Sequence, residues 1–142
     1  MKVRIIKRVE DDVAALVNWH YLELHWIKTV STPLDRTVLV DAYSEQWIRK
    51  KDNIFQFKIG EICLDPPERG EMWFSNGRHR TNLIVKHQPH VPIAFMGGIP
   101  DHPVIQASII RKLDERDIVE IPDLPIYSIQ KLRKQGMLSG YK

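Results

Sequence analysis

The chain has little of several features that mark specialised classes of protein. It has one cysteine, Cys63, so no disulfide can form within the chain, and a reducing compartment is expected. No stretch approaches the roughly 18 apolar residues that a membrane-spanning helix needs. The first ten residues alternate charged and β-branched side chains without an apolar run, so we expect no signal peptide. Together these features predict a cytoplasmic protein without a membrane partner.

The net charge is also small, at +3, although the isoelectric point is about 9.0. Such an excess does not by itself make a nucleic-acid-binding protein, but it is compatible with one if the charge is concentrated on one face. The 142 residues contain no internal repeat and no low-complexity tract. This length suits a single core. We therefore expect one domain over residues 1–142.

The first half of the chain predicts strands and helices in alternation. Val3 to Val9 is rich in β-branched residues and predicts a strand. Asp11 and Asp12 offer a helix start, with Val13, Leu16 and Val17 following at helical spacing. Ser44 to Lys51 predicts a second helix, capped by Ser44. The aromatic stretch Trp19 to Ile27 fits either the end of a helix or a strand, and the β-branched run Thr37 to Val40 predicts a short strand.

The second half predicts a strand, a helix and a strand in close succession. Asn53 to Leu64 is typical of one or two strands, and residues 65–70 of a turn. Glu71 to Ser75 predicts a strand, His79 to His87 a helix and Val91 to Met96 another strand, which suggests a compact βαβ unit. The remaining predictions are a helix over Pro103 to Lys112, an edge strand over Ile121 to Tyr127 and a helix over Ser128 to Lys134. This mixture predicts a single domain with an α+β or α/β fold.

The segment Ser75-Asn76-Gly77-Arg78-His79-Arg80 is the one that points most clearly to chemistry. Asn76 and Gly77 tolerate positive φ, which permits a sharp turn with exposed amides between the strand and the helix. The first N–H groups of a helix lack intrahelical partners, and the helix dipole favours negative charge there. Arginine guanidinium groups match phosphate oxygens bidentately. The segment therefore predicts a phosphate site formed by Gly77, Arg78, His79, Arg80 and Thr81, with a solvated basic turn as the alternative.

These residues carry a resemblance to a known family. Phe74 to Thr81, followed by a helix and Val91-Pro92-Ile93, resembles the strand–(D/N)GRHR–helix–strand motif of the ParB/sulfiredoxin-like superfamily. Val38 to Ile48 resembles the upstream segment of plasmid fertility inhibition factors, in which a Val-Asp pair precedes a tryptophan. The likeness covers roughly Val38 to Phe95. Asn76 stands where aspartate is also common, which removes one carboxylate.

The resemblance implies a ParB/sulfiredoxin-like domain with a small mixed sheet packed against helices, whose motif binds the phosphates of a nucleotide or of DNA. Some members of the superfamily cleave DNA or hydrolyse nucleoside triphosphates, and fertility inhibition factors block the conjugative transfer of DNA. Sulfiredoxin activity is not expected, because Arg78 occupies the position where those enzymes need a cysteine.

Cleavage of a phosphodiester would require a base and charge stabilisation, and often a metal held by carboxylates. His79 and Glu61 are the predicted catalytic residues, and a divalent metal is a candidate cofactor. The other carboxylates considered are Asp65, Glu68, Glu71 and Asp101. Their spacing is not that of a dedicated metal site. Two functional hypotheses remain open: a nuclease or nucleotide hydrolase acting on mobile DNA, and a non-enzymatic inhibitor or immunity-type factor that occludes a protein partner.

Overall fold

The computed structural model describes residues 1–25, 28–29, 40–64 and 71–135. Within these ranges the fold is α+β, as predicted, with strands in mixed sheets and short helices. The strands are β1 (Lys2–Ile6), β2 (Val13–Asn18), β3 (Lys28–Thr29), β4 (Tyr43–Ser44), β5 (Ile48–Lys51), β6 (Ile54–Lys58), β7 (Gly60–Leu64), β8 (Glu71–Asn76), β9 (His90–Phe95), β10 (Ile109–Leu113), β11 (Ile118–Glu120) and β12 (Ile126–Tyr127). The helices are α1 (Trp19–His25), α2 (Arg78–His87), α3 (Pro103–Ser108) and α4 (Ile129–Lys134).

A four-stranded sheet has the order β11-β1-β6-β5. Its central pair, β1 and β6, runs parallel, with Val3 opposite Phe55 and Ile6 opposite Lys58. The two outer strands are antiparallel to their neighbours. Since side chains alternate across a strand, one face carries Val3, Ile5 and Phe57 into the core and the other faces outward.

A six-stranded sheet has the order β10-β2-β9-β7-β8-β3. β7 lies in its interior, antiparallel to β8 and parallel to β9. β8 and β9 are therefore not adjacent, and the compact βαβ unit was a wrong prediction because β7 is inserted between them. The parallel connection instead runs from β7 through β8 and α2 to β9. A single cluster of buried residues takes members from both sheets, including Val3 and Phe57 from the first and Ile62 and Ile93 from the second.

Two predicted helices are strands in the structure. Val13–Asn18 is β2, which pairs with β9 on one side and β10 on the other. Apolar residues at positions 13, 16 and 17 fit helical spacing, but a strand buried in the interior of a sheet is apolar on both faces and gives the same signal. Ser44 to Lys51 forms β4, a turn and β5, and the Ser44 hydroxyl accepts a hydrogen bond from the Gln46 amide within that turn. The run Thr37 to Leu39 and the predicted turn at 65–70 lie outside the described residues.

The other elements follow the sequence more closely. β1, β6, β7, β8, α2 and β9 lie where they were predicted to within two or three residues. The predicted helix from Pro103 ends at Ser108 and continues as β10. Ser128 caps α4 by accepting a hydrogen bond from the Lys131 amide at 3.2 Å.

Candidate phosphate-binding cleft

The strand–turn–helix motif has the predicted backbone. β8 ends at Asn76, Gly77 adopts a left-handed conformation with φ of 81°, and α2 begins at Arg78. A Cβ atom at Gly77 would lie 2.6 Å from the Cα atom of Gly60 and 2.8 Å from the guanidinium carbon of Arg80. The turn therefore requires glycine for its conformation and for the close approach of β7.

Arg80 is held by the protein itself. It is 5% exposed, and its Nε donates to the Lys58 carbonyl at 2.6 Å. Its Nη2 donates to Asn76 Oδ1 at 2.7 Å and to the Ile59 carbonyl at 3.3 Å. Burial lowers the pKa of Arg80 to about 10, so the side chain remains charged at neutral pH. A fixed positive charge thus lies where the ends of β6 and β8 meet the start of α2.

Arg80 forms part of the wall of a cleft of about 700 Å³, which we call the basic cleft. The cleft lies at the carboxyl ends of β1 and β6, beside the turn before β5. Five cationic side chains and one carboxylate line it. Its lining consists of Ile6, Lys7, Arg8, Glu45, Gln46, Trp47, Ile48, Arg49, Gln56, Lys58, Ile59, Asn76 and Arg80. The positive charge of this chain is thus concentrated locally, although the net charge of the whole is only +3.

Some residues of the motif line the basic cleft, and the others lie in the structure around it. Asn76 and Arg80 line the basic cleft, whereas Gly77, Arg78, His79 and Thr81 are not part of its lining. Thr81 is buried and its hydroxyl donates to the Gly77 carbonyl at 2.8 Å, which places that hydroxyl in the helix start rather than in the cleft. Arg78 and His79 are half-buried in the first turn of α2. The structure therefore brings one of the two predicted guanidinium groups to the cleft.

The sequence reasoning missed most of the cleft's cations: Lys7, Arg8, Arg49 and Lys58. A signal for two of them was present, since basic and β-branched residues alternate through Lys2 to Arg8 and this strand ends in Lys7-Arg8. That Lys58 ends the neighbouring parallel strand follows only from the pairing of Ile6 with Lys58. Arg49 joins them through β5, where it faces Gln56.

Glu61, the predicted catalytic carboxylate, is 0% exposed and lies behind the cleft. Arg8 Nε donates to its Oε1 at 2.9 Å, and the Ser75 hydroxyl donates to the same oxygen at 2.5 Å. Arg8 is a cleft residue whose side chain is 49% exposed. Glu61 thus fixes Arg8 from the interior and does not itself line the cleft.

A second buried carboxyl group, Asp12, pairs with Glu61. Asp12 Oδ2 and Glu61 Oε2 are both buried, and no other group among the described residues donates a hydrogen bond to either oxygen. When Asp12 is protonated, its proton forms a hydrogen bond between the two carboxyl groups. Burial, followed by the hydrogen bond with Glu61 and its negative charge, raises the pKa of Asp12 to about 6, although the charges of Arg8 and Lys7 oppose this shift. Burial would also raise the pKa of Glu61, but hydrogen bonds from Asp12, Ser75 and Arg8 outweigh it and lower that pKa below its ordinary value.

A divalent metal was a candidate cofactor from the sequence, although no carboxylate spacing there pointed to a dedicated metal site. Within the described ranges, no three His, Cys, Asp or Glu side chains come together as ligands for an ion. Asp65 and Glu68 lie outside those ranges. None of the described helices is long and apolar enough to cross a bilayer.

Comparison of the chain with protein-family models, with curated proteins and with solved structures finds no match. The resemblance to the ParB/sulfiredoxin-like superfamily therefore stays a prediction.

Proposed function

We propose that this protein binds the phosphate groups of a nucleotide or of DNA in the basic cleft. The observation that carries the proposal is the lining of that cleft, which includes five cationic side chains and a single carboxylate, Glu45. Like charges in one cleft repel each other, and an anion relieves that repulsion by neutralising them. Phosphate, with several acceptor oxygens, suits a site made of arginine and lysine donors.

The cleft is preorganised for such a ligand. Arg80 is fixed by two carbonyls and an amide oxygen, and Arg8 is oriented from behind by Glu61. Side chains that are already ordered lose little rotamer entropy when a ligand arrives. A volume of about 700 Å³ lies within the range of small-molecule sites, which makes the cleft large enough for a nucleotide.

Binding is better supported than cleavage. Among the described residues that line the cleft, Glu45 is the only carboxylate and there is no histidine. Glu61 is sealed from solvent and committed to Arg8 and Ser75. A general base needs hydrogen-bond reach of the group it deprotonates, and His79 does not line the cleft. The family resemblance implies a biological role for this binding, which is to restrain mobile DNA.

The test is a binding titration that compares the wild type with Arg49→Ala/Lys58→Ala. Both side chains line the cleft and are exposed, and the Lys58 contact with Arg80 uses a backbone carbonyl that survives the substitution. The matched control is Lys112→Ala/Lys134→Ala, which removes two exposed cations outside the cleft. The ligands are pyrophosphate, ATP and a short DNA duplex.

We expect the cleft variant to lose about tenfold or more in affinity for pyrophosphate and ATP, because two charge-assisted contacts disappear. The control should stay within about twofold. A wild-type protein that binds none of the three ligands, or a cleft variant that binds them as tightly as the control, would overturn the proposal.

A further inference from the structure

The outward face of the four-stranded sheet is strongly basic. β1 exposes Lys2 and Arg4, β5 exposes Arg49 and Lys51, and Lys58 is exposed at the end of β6. These positions alternate with core residues, so they all lie on the side of the sheet away from the core. We call this the outer face; its residues are Lys2, Arg4, Ile6, Arg49, Lys51, Ile54, Gln56, Lys58, Ile118 and Glu120. It carries five cations against the single carboxylate of Glu120.

The strand register arranges these cations regularly. Arg4 and Arg49 both face Gln56, so one row across the sheet reads Arg4-Gln56-Arg49. Strands are about 4.8 Å apart, which puts the two arginine positions roughly 10 Å from each other. Lys2 precedes Arg4 and Lys51 follows Arg49 by two residues on the same strands, a step of about 6.8 Å. The result is a grid of positive charge rather than a point site.

The outer face is continuous with the basic cleft. Ile6, Arg49, Gln56 and Lys58 belong to both. A single phosphate group occupies a cleft, but it leaves Lys2, Arg4 and Lys51 uncompensated. A ligand that satisfies both surfaces has to be an extended polyanion.

We propose that the outer face binds the phosphate backbone of duplex DNA without regard to sequence, while the basic cleft takes one phosphate of the same strand. The inference rests on the proposed phosphate binding in the cleft and names its ligand.

Two features of the outer face favour duplex DNA over single-stranded DNA. They also favour binding that does not depend on the base sequence. Single-stranded nucleic acid is held by aromatic side chains on which bases stack. The outward positions of β1, β5, β6 and β11 hold no aromatic residue; Phe55 and Phe57 face the core. Four strands span about 14 Å between the outermost strand axes, more than the roughly 12 Å width of the major groove, so the sheet rests across the backbone. Contacts of this kind position a protein but carry no sequence information.

The experiment measures the salt dependence of binding to two labelled duplexes of unrelated sequence. The variant Lys2→Ala/Arg4→Ala/Lys51→Ala removes three cations of the outer face that do not line the cleft. Its control, Lys112→Ala/Arg133→Ala/Lys134→Ala, removes the same number of exposed cations from β10 and α4. Pyrophosphate affinity is measured in parallel on every protein, because it reports on the cleft alone.

Each phosphate contact contributes about 0.9 to the slope of log K against log salt on B-form DNA. We expect the outer-face variant to lose about 2 to 3 from that slope on both duplexes, with pyrophosphate affinity within about twofold of wild type. The control should lose less than about 1.

Several results would overturn the inference while leaving phosphate binding in the cleft intact. These are a slope equal to that of the control, tighter binding to single strands than to duplexes, or binding to phosphatidylserine vesicles but not to DNA. A wild-type protein that does not bind pyrophosphate would instead contradict the proposed function on which the inference rests.

Discussion

The Nη2 atom of Arg80 donates a hydrogen bond of 2.7 Å to the side-chain oxygen of Asn76, four residues earlier in the chain. The bond closes the turn at Gly77, because it joins the last residue of β8 to the first turn of α2. A residue that the sequence assigns to the turn, Asn76, thus fixes one that it assigns to phosphate binding, Arg80. Arg80 also forms part of the cleft wall, so the same bond fixes a positive charge in that wall.

Replacing Asn76 should reveal the strength of this bond. Asn76→Ala removes the acceptor and leaves a buried guanidinium N–H unpaired, so we expect the free energy of unfolding to fall by about 1–3 kcal/mol. Asn76→Asp keeps an oxygen in place and adds a charge complementary to Arg80, and it should remain within about 1 kcal/mol of wild type. Urea unfolding of the three proteins measures both effects. If both variants lose the same free energy of unfolding, the acceptor oxygen at position 76 does not account for the stabilisation.

Gly77 should tolerate alanine far less well than a glycine with a similar backbone. Gly97 has φ of 76° and open space where a Cβ would lie, whereas a Cβ on Gly77 would meet the backbone of Gly60. Gly97→Ala therefore isolates the cost of the left-handed conformation, about 1 kcal/mol. Gly77→Ala adds the clash and should lose about 3 kcal/mol or more. Thermal unfolding compares the two, and similar losses would contradict the close approach of β7.

Asp12 should make the stability depend on pH. The folded protein holds a proton on Asp12 up to about pH 6, whereas the unfolded chain releases it near the ordinary value of 3.8. Between these values the folded state binds more protons, so the contribution of Asp12 to the free energy of unfolding falls as pH rises. Asp12→Asn keeps a donor for Glu61 but cannot titrate.

The free energy of unfolding of Asp12→Asn should therefore rise relative to that of the wild type between pH 4 and pH 7, by about 1–3 kcal/mol. Urea unfolding at a series of pH values measures this difference. If it is the same at every pH, Asp12 does not hold the proton assigned to it. Asp12→Ala serves as a comparison that removes the donor as well as the titration.

Arg78 and Arg8 should differ in their effect on phosphate binding. Arg78 does not line the basic cleft, so Arg78→Ala should leave pyrophosphate affinity within about twofold. Arg8→Gln removes a cation from the cleft while keeping a donor near Glu61, and it should lower that affinity about tenfold. Isothermal titration calorimetry measures both. A tenfold loss in Arg78→Ala would restore the sequence-based prediction that both arginines of the motif meet one ligand.

Local signals in the sequence were sufficient for the turn at Gly77 and the elements beside it. Asn76-Gly77 marks a positive-φ turn, and Leu83, Ile84 and Val85, expected to face the core from the helix after it, are all buried in α2. β2 could not be assigned in the same way. Its apolar positions satisfy a helix as well as a strand, and only its pairing with both β9 and β10 decides between them.

The cleft could not be predicted from local sequence patterns, because its residues come from segments that are distant from one another in the sequence. Its cations come from positions 7, 8, 49, 58 and 80. The parallel pairing of β1 with β6 brings 7, 8 and 58 together, while the antiparallel strand β5 adds Arg49 and α2 adds Arg80. Nothing in the sequence near Arg80 identifies the Lys58 carbonyl as its acceptor. The sequence pointed to the helix start that carries Arg80 but assigned the charge to immediate neighbours, whereas most cations of the cleft come from strands distant in sequence.

The bond between Arg8 and Glu61 connects the basic cleft with the interior of the protein. The Arg8 side chain is 49% exposed, and its Nε donates to a fully enclosed carboxylate. An anion that draws on the charge of Arg8 weakens its hold on Glu61, and the ¹³C resonance of that carboxyl carbon should move in response. A spectroscopist could then follow occupancy from an atom that no ligand ever touches.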